Sequence, residues 1–318
     1  MTARVAVCVS THERPDLLAR LLAALEAQTL PADQLEVSIV DDGSSPTAWA
    51  AVQDAVSRSA LTVRLQHTEV SRGPAAGRNL AWRASSAPVV AFTDDDCRPV
   101  PHWLEAGLAE LGTGRTHLAG AARPAPEDMV AVGPYSRSLF ADRTHGRWFA
   151  AANLFIPRAS LEAVGGFDEG FPRAAGEDTE LQLRLEDWGS TFAFSDQALV
   201  HHDVIPSGVW RAVRDKRRWS DLVRVVKAHP RARHELLAWR VFWKRDHAFL
   251  LLLLAGLATR RTSWALAMAA PWVHARTCHG ATETRLEAAA VLPGELVVGL
   301  AEIAAMLEGS LRHRTLVL

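Results

Sequence analysis

Three consecutive carboxylates, Asp94, Asp95 and Asp96, follow an apolar run that ends at Phe92 and Thr93. Adjacent carboxylates repel one another, so such a cluster is costly unless a cation or strong hydrogen-bond donors compensate it. Oxygen ligands suit Mg2+ or Mn2+, and both ions readily bridge to phosphate oxygens. Aspartates are equally common at helix N-caps and solvated turns, so the cluster alone leaves both interpretations open.

Two other polar segments have residue types that suit a nucleotide site. Asp41 to Ser44 follows an apolar run, and Asp42 is placed to accept hydrogen bonds from a base or ribose, although this is also ordinary turn chemistry. Arg72 to Asn79 is a Gly-rich turn entering a helix, where backbone can approach a ligand and Arg78 can contact phosphate. This turn has neither the P-loop pattern nor the dinucleotide-binding fingerprint.

Candidates for an acid–base group and a further metal ligand lie later in the chain. Glu177 and Asp178 open a predicted helix, where the helix dipole favours acids; the functional alternative is a general base aimed at a hydroxyl. His201 and His202 follow an apolar pair. Together with an upstream Asp cluster, one of them is a candidate third metal ligand, although a lone histidine there is more often structural.

The elements around these residues alternate between strand and helix, which predicts an α/β fold with a mixed, mostly parallel sheet flanked by helices. The predicted elements are strand Val5–Val9, helix Leu17–Leu25, strand Leu35–Val40, helix Thr47–Arg58, strand Leu61–Leu65, helix Pro74–Ser85, strand Pro88–Thr93, an irregular segment over 123–147, strand Trp148–Ile156, helix Arg158–Val164, helix Glu177–Trp188, and strands Thr191–Phe194 and Ala198–Val200. Ligands bind outside the carboxyl ends of strands in such sheets, so the polar segments after strands one, two and four point to one site.

Bulk properties exclude several classes of protein. With 318 residues, 48% of them hydrophobic, the chain can bury one large core with an appended module. A net charge of -1 argues against a polyanion binder. Cys8, Cys97 and Cys278 are odd in number and lack metal-ligand spacing, so we expect a reducing cytosol rather than a disulfide framework. The first residues do not resemble a signal peptide, and no run reaches the roughly 18 to 20 apolar residues of a bilayer span.

The composition changes near residue 205. Between Ile205 and His247 there are twelve Lys or Arg against four Asp or Glu, and six of the eleven tryptophans lie between Trp210 and Trp272. Apolar blocks follow at Ala248–Ala258, Trp264–Val273 and Ala288–Leu307. We therefore predict a catalytic domain over 1–204 and a helical, basic and Trp-rich module over 205–318. That module either packs on protein, including a second subunit, or lies on the inner face of a membrane, which the flanking basic and Trp residues slightly favour.

Taken in order, these segments resemble the family 2 glycosyltransferases of the GT-A fold, over roughly residues 4 to 203. The motifs that carry the resemblance are Val-Ser-Thr-His-Glu-Arg (9–14), Val-Asp-Asp-Gly-Ser (40–44), Gly-Arg-Asn (77–79), Thr-Asp-Asp-Asp (93–96), Gly-Gly-Phe-Asp-Glu (165–169), Gly-Glu-Asp (176–178) and a terminal histidine. The first motif departs from the commoner Thr-Tyr-Asn-Arg at positions 12 and 13, which leaves the contact made there open.

The resemblance implies an inverting, metal-dependent transfer of a sugar from a nucleotide-diphosphate sugar, with a UDP-sugar as the default, to an acceptor hydroxyl. A lipid-linked acceptor is one option, and no nucleic-acid partner is expected. The residue roles it implies are nucleotide-sugar binding by Thr11, Glu13, Asp42, Arg78, Asp94 and Asp95, coordination of Mn2+ or Mg2+ by Asp96, Asp94 and His202 (with His201 as the alternative), and catalysis by Asp178 with Glu177 beside it.

Two other classes of protein share parts of this pattern. A nucleotidyltransferase acting on sugar phosphates also has a strand-end acid cluster, but it normally needs a basic Gly-rich N-terminal loop, which Ser10 to Arg14 is not. A non-catalytic nucleotide-sugar binding module would keep the fold without turnover, and the presence of both Asp96 and Asp178 argues against it. The basic segment after residue 205 comes without a recognisable nucleic-acid module.

Overall fold

The computed structural model describes residues 3–112, 114, 116–142, 150–260, 262–278 and 285–318, and they form two compact units. The first unit contains Met1–Asp128 and Ser138–Asp203, and the second contains Met129–Arg137 and Val204–Leu318. The short segment 129–137 thus groups with the C-terminal helices, through backbone hydrogen bonds between Arg137 and Ile205 in both directions.

An eight-stranded sheet forms the centre of the first unit. Its strands are β1 (Val5–Thr11), β2 (Leu35–Asp41), β3 (Val63–His67), β4 (Val89–Thr93), β5 (Cys97–Pro99), β6 (Thr116–Arg123), β7 (Asn153–Pro157) and β8 (Thr191–His202). They lie in the order β3-β2-β1-β4-β7-β6-β8-β5. The first four strands of that order are parallel, β6 and β8 are also parallel, and β7 and β5 pair antiparallel with their neighbours. The predicted mixed, mostly parallel sheet is confirmed.

Six helices flank this sheet: α1 (Pro15–Glu26), α2 (Pro46–Arg58), α3 (Pro74–Ala84), α4 (Trp103–Leu111), α5 (Arg158–Val164) and α6 (Glu177–Asp187). Helices pack on both faces of the sheet because the side chains of β1 alternate between two apolar clusters, one on each face. Val5, Val7 and Val9 pack with the leucines of α1 on one face, while Ala6 and Cys8 pack with α3 on the other.

The structure differs from the predicted elements in the second half of this unit. The residues between 97 and 123 form β5, α4 and β6, none of which the sequence analysis predicted. Strand β7 begins at Asn153, because 151 and 152 form a turn; residues 143–149 lie outside the described part of the chain. The two short strands expected after 191 are one strand, β8, whose pairing with β6 changes register between Gly120 and Ala122.

The second unit is helical, as expected for the C-terminal region. Its helices are α7 (Val209–Lys216), α8 (Leu222–Ala228), α9 (Ala232–Leu236), α10 (Arg245–Ala258), α11 (Thr262–Cys278) and α12 (Arg285–His313), with a 3-10 turn over Arg217–Asp221. Among the described residues, Ala289–His313 of α12 is long and apolar enough to cross a membrane by length and composition alone. Core helices of other proteins meet the same criterion, and Glu302 in this helix is buried.

Candidate functional site

The acid cluster lies at the turn between β4 and β5, and two arginines and a threonine donate hydrogen bonds to its three carboxylates. Asp94 accepts a hydrogen bond from Arg78 Nη2 (2.6 Å). Asp95 is 5% exposed and accepts from the hydroxyl of Thr11 (2.8 Å) and from Arg14 Nη1 (3.0 Å). Asp96 is 3% exposed and also accepts from Arg14 Nη1, at 3.1 Å. The loop after β1 therefore reaches two of the three carboxylates.

The pKa values of two members of the cluster are shifted in opposite directions. Burial raises the pKa of Asp95 to about 6, and the neighbouring carboxylates of Asp96 and Asp94 add to that effect. Burial also opposes ionisation of Asp94, but the guanidinium of Arg78 outweighs it and lowers the pKa of Asp94 below its ordinary value. Arg78 keeps its charge, since the two carboxylates beside it raise its pKa despite its burial.

Arg78 joins the acid cluster to the helix that opens with Glu177. Its side chain is 4% exposed, and its Nη1 donates to Glu177 Oε1 (3.0 Å) while Nη2 bonds Asp94. Burial and the charge of Asp178 raise the pKa of Glu177 to about 7, against the effect of Arg78. In this structure Arg78 thus donates to two carboxylates, one in the acid cluster and one at the start of α6, and its contact with a phosphate stays a prediction.

Asp178 differs from its neighbour in exposure and in partners. It is half-buried, whereas Glu177 is buried, and its Oδ1 accepts from the backbone N–H of Thr179 (2.7 Å). Burial raises the pKa of Asp178, although the Thr179 backbone hydrogen bond lowers it in part. A raised pKa and a position at the first turn of α6 suit a group that takes a proton from an alcohol.

His202 lies against the acid cluster because β5 pairs with the end of β8. The register places Cys97 opposite His202 and Arg98 opposite His201, and neighbouring residues of a strand face opposite sides of the sheet. His202 Nε2 is 3.5 Å from Asp96 Oδ1. Ligand atoms of Asp96, Cys97 and His202 all lie within 4.8 Å of one another. The geometry brings His202, not its neighbour, to the cluster.

The hydrogen bonds of His202 suit a metal ligand. Its Nδ1 is 2.9 Å from the backbone oxygen of Asp203, and because a carbonyl oxygen only accepts, Nδ1 must carry the hydrogen. A neutral ring then has its lone pair on Nε2, the atom that faces Asp96, and this is the arrangement that metal-binding histidines use. Cys97 is a poorer donor, since burial raises its pKa well above the ordinary thiol value.

The net charge of the site also fits a divalent cation. Five carboxylates (Asp94, Asp95, Asp96, Glu177 and Asp178) meet two guanidinium groups, those of Arg14 and Arg78. When all are ionised, three negative charges remain in excess. A divalent cation placed between Asp96 and His202 would offset most of this excess, so the residues present fit such an ion.

The turns after β1 and β2 contain Glu13 and Asp42, two of the residues predicted to bind the nucleotide sugar. Asp42 is 3% exposed and accepts from the hydroxyl of Ser71 (2.8 Å) and from the backbone N–H groups of Arg72 (2.9 Å) and Gly73 (2.8 Å). Gly43 has a φ of +71°, and a Cβ there would lie 2.3 Å from the backbone nitrogen of Ser71. Asp42 and Gly43 therefore hold the 71–73 turn close to β2.

Glu13 bridges the same two turns from the exposed side. Its carboxylate accepts from the backbone N–H (2.5 Å) and hydroxyl (2.9 Å) of Ser45, and Ser44 accepts from the Glu13 backbone N–H (2.7 Å). Glu13 thus bonds the turn after β2, whereas its neighbour Arg14 bonds the acid cluster. Thr11, in contrast, is 2% exposed and directed at Asp95.

Two functional residues were not among the sequence candidates. Arg14 bonds two members of the acid cluster, and Asn79 connects the Gly-Arg-Asn and Gly-Gly-Phe-Asp-Glu motifs. The Asn79 amide nitrogen donates to the Phe167 backbone oxygen (2.9 Å) and its oxygen accepts from the Phe167 N–H (2.9 Å). Both residues stood in the quoted motifs, but their partners are 80 or more residues away in sequence.

Sequence comparisons agree with this geometry. Residues 6–167 match the profile of glycosyl transferase family 2, and residues 89–277 match that of glycosyl transferase family group 2. The chain belongs to glycosyl transferase family 2, which confirms the predicted glycosyltransferase class and removes the nucleotidyltransferase alternative.

Curated relatives are similar over the first two thirds of the chain. A validoxylamine A glucosyltransferase from Streptomyces hygroscopicus subsp. jinggangensis is 28% identical over 228 residues, which cover 61% of this chain and 54% of that protein. A glycosyltransferase of Haloferax volcanii, AglE, is 27% identical over 214 residues, covering 64% of this chain and 68% of that one. The match thus spans about half the length of the first relative.

Solved structures show the same fold at low identity. A mannosyltransferase from Pyrobaculum calidifontis, solved with GDP-Man and Mn2+, has a TM-score of 0.59 at 20% identity and covers 99% of this chain and 88% of its own. S. aureus TarS, solved with UDP, has a TM-score of 0.51 at 17% identity and covers 98% of this chain and 92% of its own. The GT-A fold predicted from the motifs is therefore confirmed.

Proposed function

We propose that this chain transfers a sugar from a nucleotide-diphosphate sugar to an acceptor hydroxyl with inversion at the anomeric carbon. The observation that carries the proposal is the Arg78 bridge, which brings Asp94 of the acid cluster and Glu177 of α6 into one buried ion network. That network places a metal-type carboxylate cluster next to Asp178, a half-buried carboxylate with a raised pKa. In the proposed reaction, the diphosphate leaving group and the proton-accepting base would therefore be neighbours.

The donor would lie along the carboxyl ends of β1, β2 and β4. We assign the base and ribose to the turns held by Thr11, Glu13 and Asp42, and the diphosphate to the region of Asp94 and Asp95. Because Asp42 already accepts several backbone and hydroxyl hydrogen bonds, it acts by shaping the 71–73 turn. Similar structures hold GDP-Man or UDP, so the diphosphate is the shared element and UDP-sugars are the first donors to test.

Asp96 and His202, with Asp94 nearby, would hold Mn2+ or Mg2+. When bound, such an ion neutralises the charge that develops on the diphosphate leaving group. Arg14 would offset part of the negative charge of Asp95 and Asp96 and keep their carboxylates oriented.

Asp178 would take the proton from the acceptor hydroxyl as that oxygen attacks the anomeric carbon from the face opposite the nucleotide. One displacement of this kind inverts the configuration and needs a single base. Glu177 does not share this task, because it is buried and paired with Arg78. We propose that Glu177 and Arg78 fix the first turn of α6, and with it the direction of Asp178.

The acceptor and the cellular location belong to the same proposal. The acceptor is an alcohol, with a lipid-linked hydroxyl as one option, and we propose no nucleic-acid partner. We also propose a catalytic domain over 1–204 and a helical C-terminal module over 205–318 that contacts either a second subunit or the inner face of a cell membrane.

A donor screen by nucleotide release tests the enzyme class. Slow hydrolysis of a panel of sugar nucleotides is followed with Mn2+, with Mg2+ and with EDTA. We expect release from one donor, its loss in EDTA, and a decrease of at least about 100-fold in Asp96→Ala. Asp54→Ala is the matched control, because Asp54 is exposed on α2 and its carboxylate pairs with Arg58 four residues away.

The outcomes separate the alternatives. Release that persists in EDTA would contradict metal dependence, and equal loss in Asp54→Ala would point to general damage. If no donor is hydrolysed, calorimetry with UDP and Mn2+ decides between a strict acceptor requirement and an absent nucleotide site. Nucleotide binding without transfer to any acceptor would favour the non-catalytic binding module.

A further inference from the structure

Helices α10 and α11 pack against each other as a hairpin and carry five large apolar side chains that are exposed. The members of this hairpin face are between 40% and 72% exposed, and they are Leu252, Leu254, Leu257, Trp264 and Leu266. Residues two apart on a helix point to opposite sides, so Leu252 and Leu254, like Trp264 and Leu266, are exposed on different sides of their helices. Such a concentration of large exposed apolar side chains in two consecutive helices marks an interaction surface. We therefore expect the hairpin face to contact another molecule.

The hairpin cannot bury these side chains by turning inward, because its inner side is already packed. Leu250 and Trp272 are 0% and 4% exposed and form an apolar cluster with Ile303 of α12. The two helices also approach closely at small residues, since a Cβ on Gly256 would lie 2.9 Å from the backbone nitrogen of Ala265. This packing leaves the side chains of the hairpin face exposed.

The charge around the hairpin face has one sign. From His247 to Thr282 the sequence contains no Asp or Glu, while Arg260 and Arg261 lie between the two helices. Arg260 is exposed and follows the end of α10. The exposed Trp264 lies in the first turn of α11. Leucine, tryptophan and arginine together are the composition of a helix that lies in the headgroup region of an anionic bilayer.

Length and symmetry argue against two other occupants. Helices of 14 and 17 residues reach about 21 and 25 Å at 1.5 Å per residue, less than the roughly 30 Å hydrocarbon core, so the hairpin lies on a bilayer rather than across it. In a two-fold dimer the same patch meets itself, which would set Arg260 against its own copy with no acid from this segment to pair it.

We propose that the hairpin face docks on an anionic lipid bilayer, with its leucines and Trp264 at the boundary of headgroups and acyl chains and Arg260 at lipid phosphates. The docking of the hairpin does not depend on which reaction the protein catalyses. Its consequence, that the enzyme meets its acceptor at a membrane surface, rests on the proposed function. The ligand is therefore the phosphate group of a lipid in a bilayer rather than free phosphate.

Co-sedimentation of the full chain with vesicles tests the proposal. Phosphatidylcholine vesicles are compared with vesicles that also contain phosphatidylglycerol, at low and high salt. We expect binding to the anionic vesicles, weaker at high salt because surface charges are screened, and little binding to the neutral ones. No sedimentation of the wild-type chain with either vesicle would overturn the proposal.

Variants locate the surface. The double change Leu257→Glu and Leu266→Glu should lower the partition coefficient by at least roughly tenfold, since two buried apolar groups are replaced by charges. Arg260→Gln should lower it several-fold on anionic vesicles alone. Val130→Glu is the matched control, because Val130 is 93% exposed in the same unit but outside the hairpin, and it should bind like the wild type.

Two further readouts keep the result unambiguous. If Val130→Glu loses as much binding as the double variant, the hairpin face is not the surface. If the wild type instead forms dimers in sedimentation velocity that the double variant abolishes, and vesicles are not bound, a second copy is the occupant. Nucleotide release without vesicles is measured on the same samples, so failure of the membrane inference is separate from failure of the proposed reaction.

Discussion

Glu177 and Asp178 are adjacent acids with different surroundings. Glu177 is buried and bonded to Arg78, whereas Asp178 is half-buried and bonded to the first backbone N–H groups of its own helix. A base has to reach an incoming hydroxyl. The greater exposure of Asp178 therefore favours it over Glu177, whose carboxylate is bonded to Arg78.

The variant Asp178→Asn keeps the size of the side chain and the oxygen that accepts from the Thr179 backbone N–H, but removes its basicity. We expect sugar transfer to fall by at least about 100-fold, while the dissociation constant of the donor changes by less than about twofold. Single-turnover transfer and calorimetry measure the two quantities. Asp187→Asn, an exposed acid at the end of the same helix, should leave both unchanged. Near-wild-type transfer in Asp178→Asn would show that the base is another group.

Helix α12 illustrates what a single buried charge does at the scale of an element. Glu302 is 2% exposed and accepts from Lys244 Nζ (2.9 Å), with Lys216 Nζ and His247 Nε2 each 3.5 Å away. Burial would raise its pKa, but hydrogen bonding to His247 and the charges of Lys244 and Lys216 together lower the pKa below the ordinary value. The helix is therefore tied to α7 and to the start of α10 by an ion network.

Replacing Glu302 with Gln should destabilise the helical unit. Two lysines would keep their charges without a partner, at a cost of about 3 kcal/mol, the low end for buried pairs because both lysines are partly solvated. Urea unfolding measures the change. Glu308→Gln, which removes an exposed pair with Arg312 on the same helix, should cost less than about 0.5 kcal/mol. A loss of similar size in both variants would show that the network contributes no special stability.

The same carboxylate predicts a direction for the pH dependence. Because the folded pKa of Glu302 is lowered, its contribution is present above the ordinary carboxyl pKa of 4.5 and is lost as the pH falls below that value. The difference in free energy of unfolding between the wild type and Glu302→Gln should therefore shrink on acidification. A difference that grows at low pH would contradict the lowered pKa.

At the scale of the whole chain, a ligand that binds only the folded first unit must stabilise it. With nucleotide and Mn2+ at about 100 times the dissociation constant, the gain is about 2.7 kcal/mol, which raises the melting temperature by several degrees. Thermal unfolding with UDP and Mn2+ measures this shift, each variant against its own ligand-free sample. We expect Asp96→Ala to abolish the shift and His202→Ala to reduce it, while His201→Ala retains it. The reverse order for the two histidines would assign the ligand to His201.

The sequence by itself determined the parts of the first unit that depend on local periodicity. Val5 to Val9 is an unbroken apolar run and the leucines at 18, 21, 22 and 25 have helical spacing, so β1 and α1 were predictable one by one. The strand-end positions of Asp42 and Asp94 to Asp96 followed from the same reasoning, because parallel strands bring their carboxyl ends to one edge. Family resemblance supplied the residue roles that periodicity could not.

Only the tertiary structure decided which of these groups touch. Strands β5 and β6 are short or antiparallel, and their residues carry no clear period, so the pairing that sets Cys97 opposite His202 was not visible in the sequence. The partners of Arg14, Arg78 and Asn79 lie up to 99 residues away, and a guanidinium in a sequence does not show whether it faces a phosphate or two carboxylates. The exposed side of the α10–α11 hairpin was likewise undetermined, since a helix rich in leucine reads the same whether a protein core, a second copy or a lipid surface covers it, and only the packing of its inner side shows which leucines remain outside.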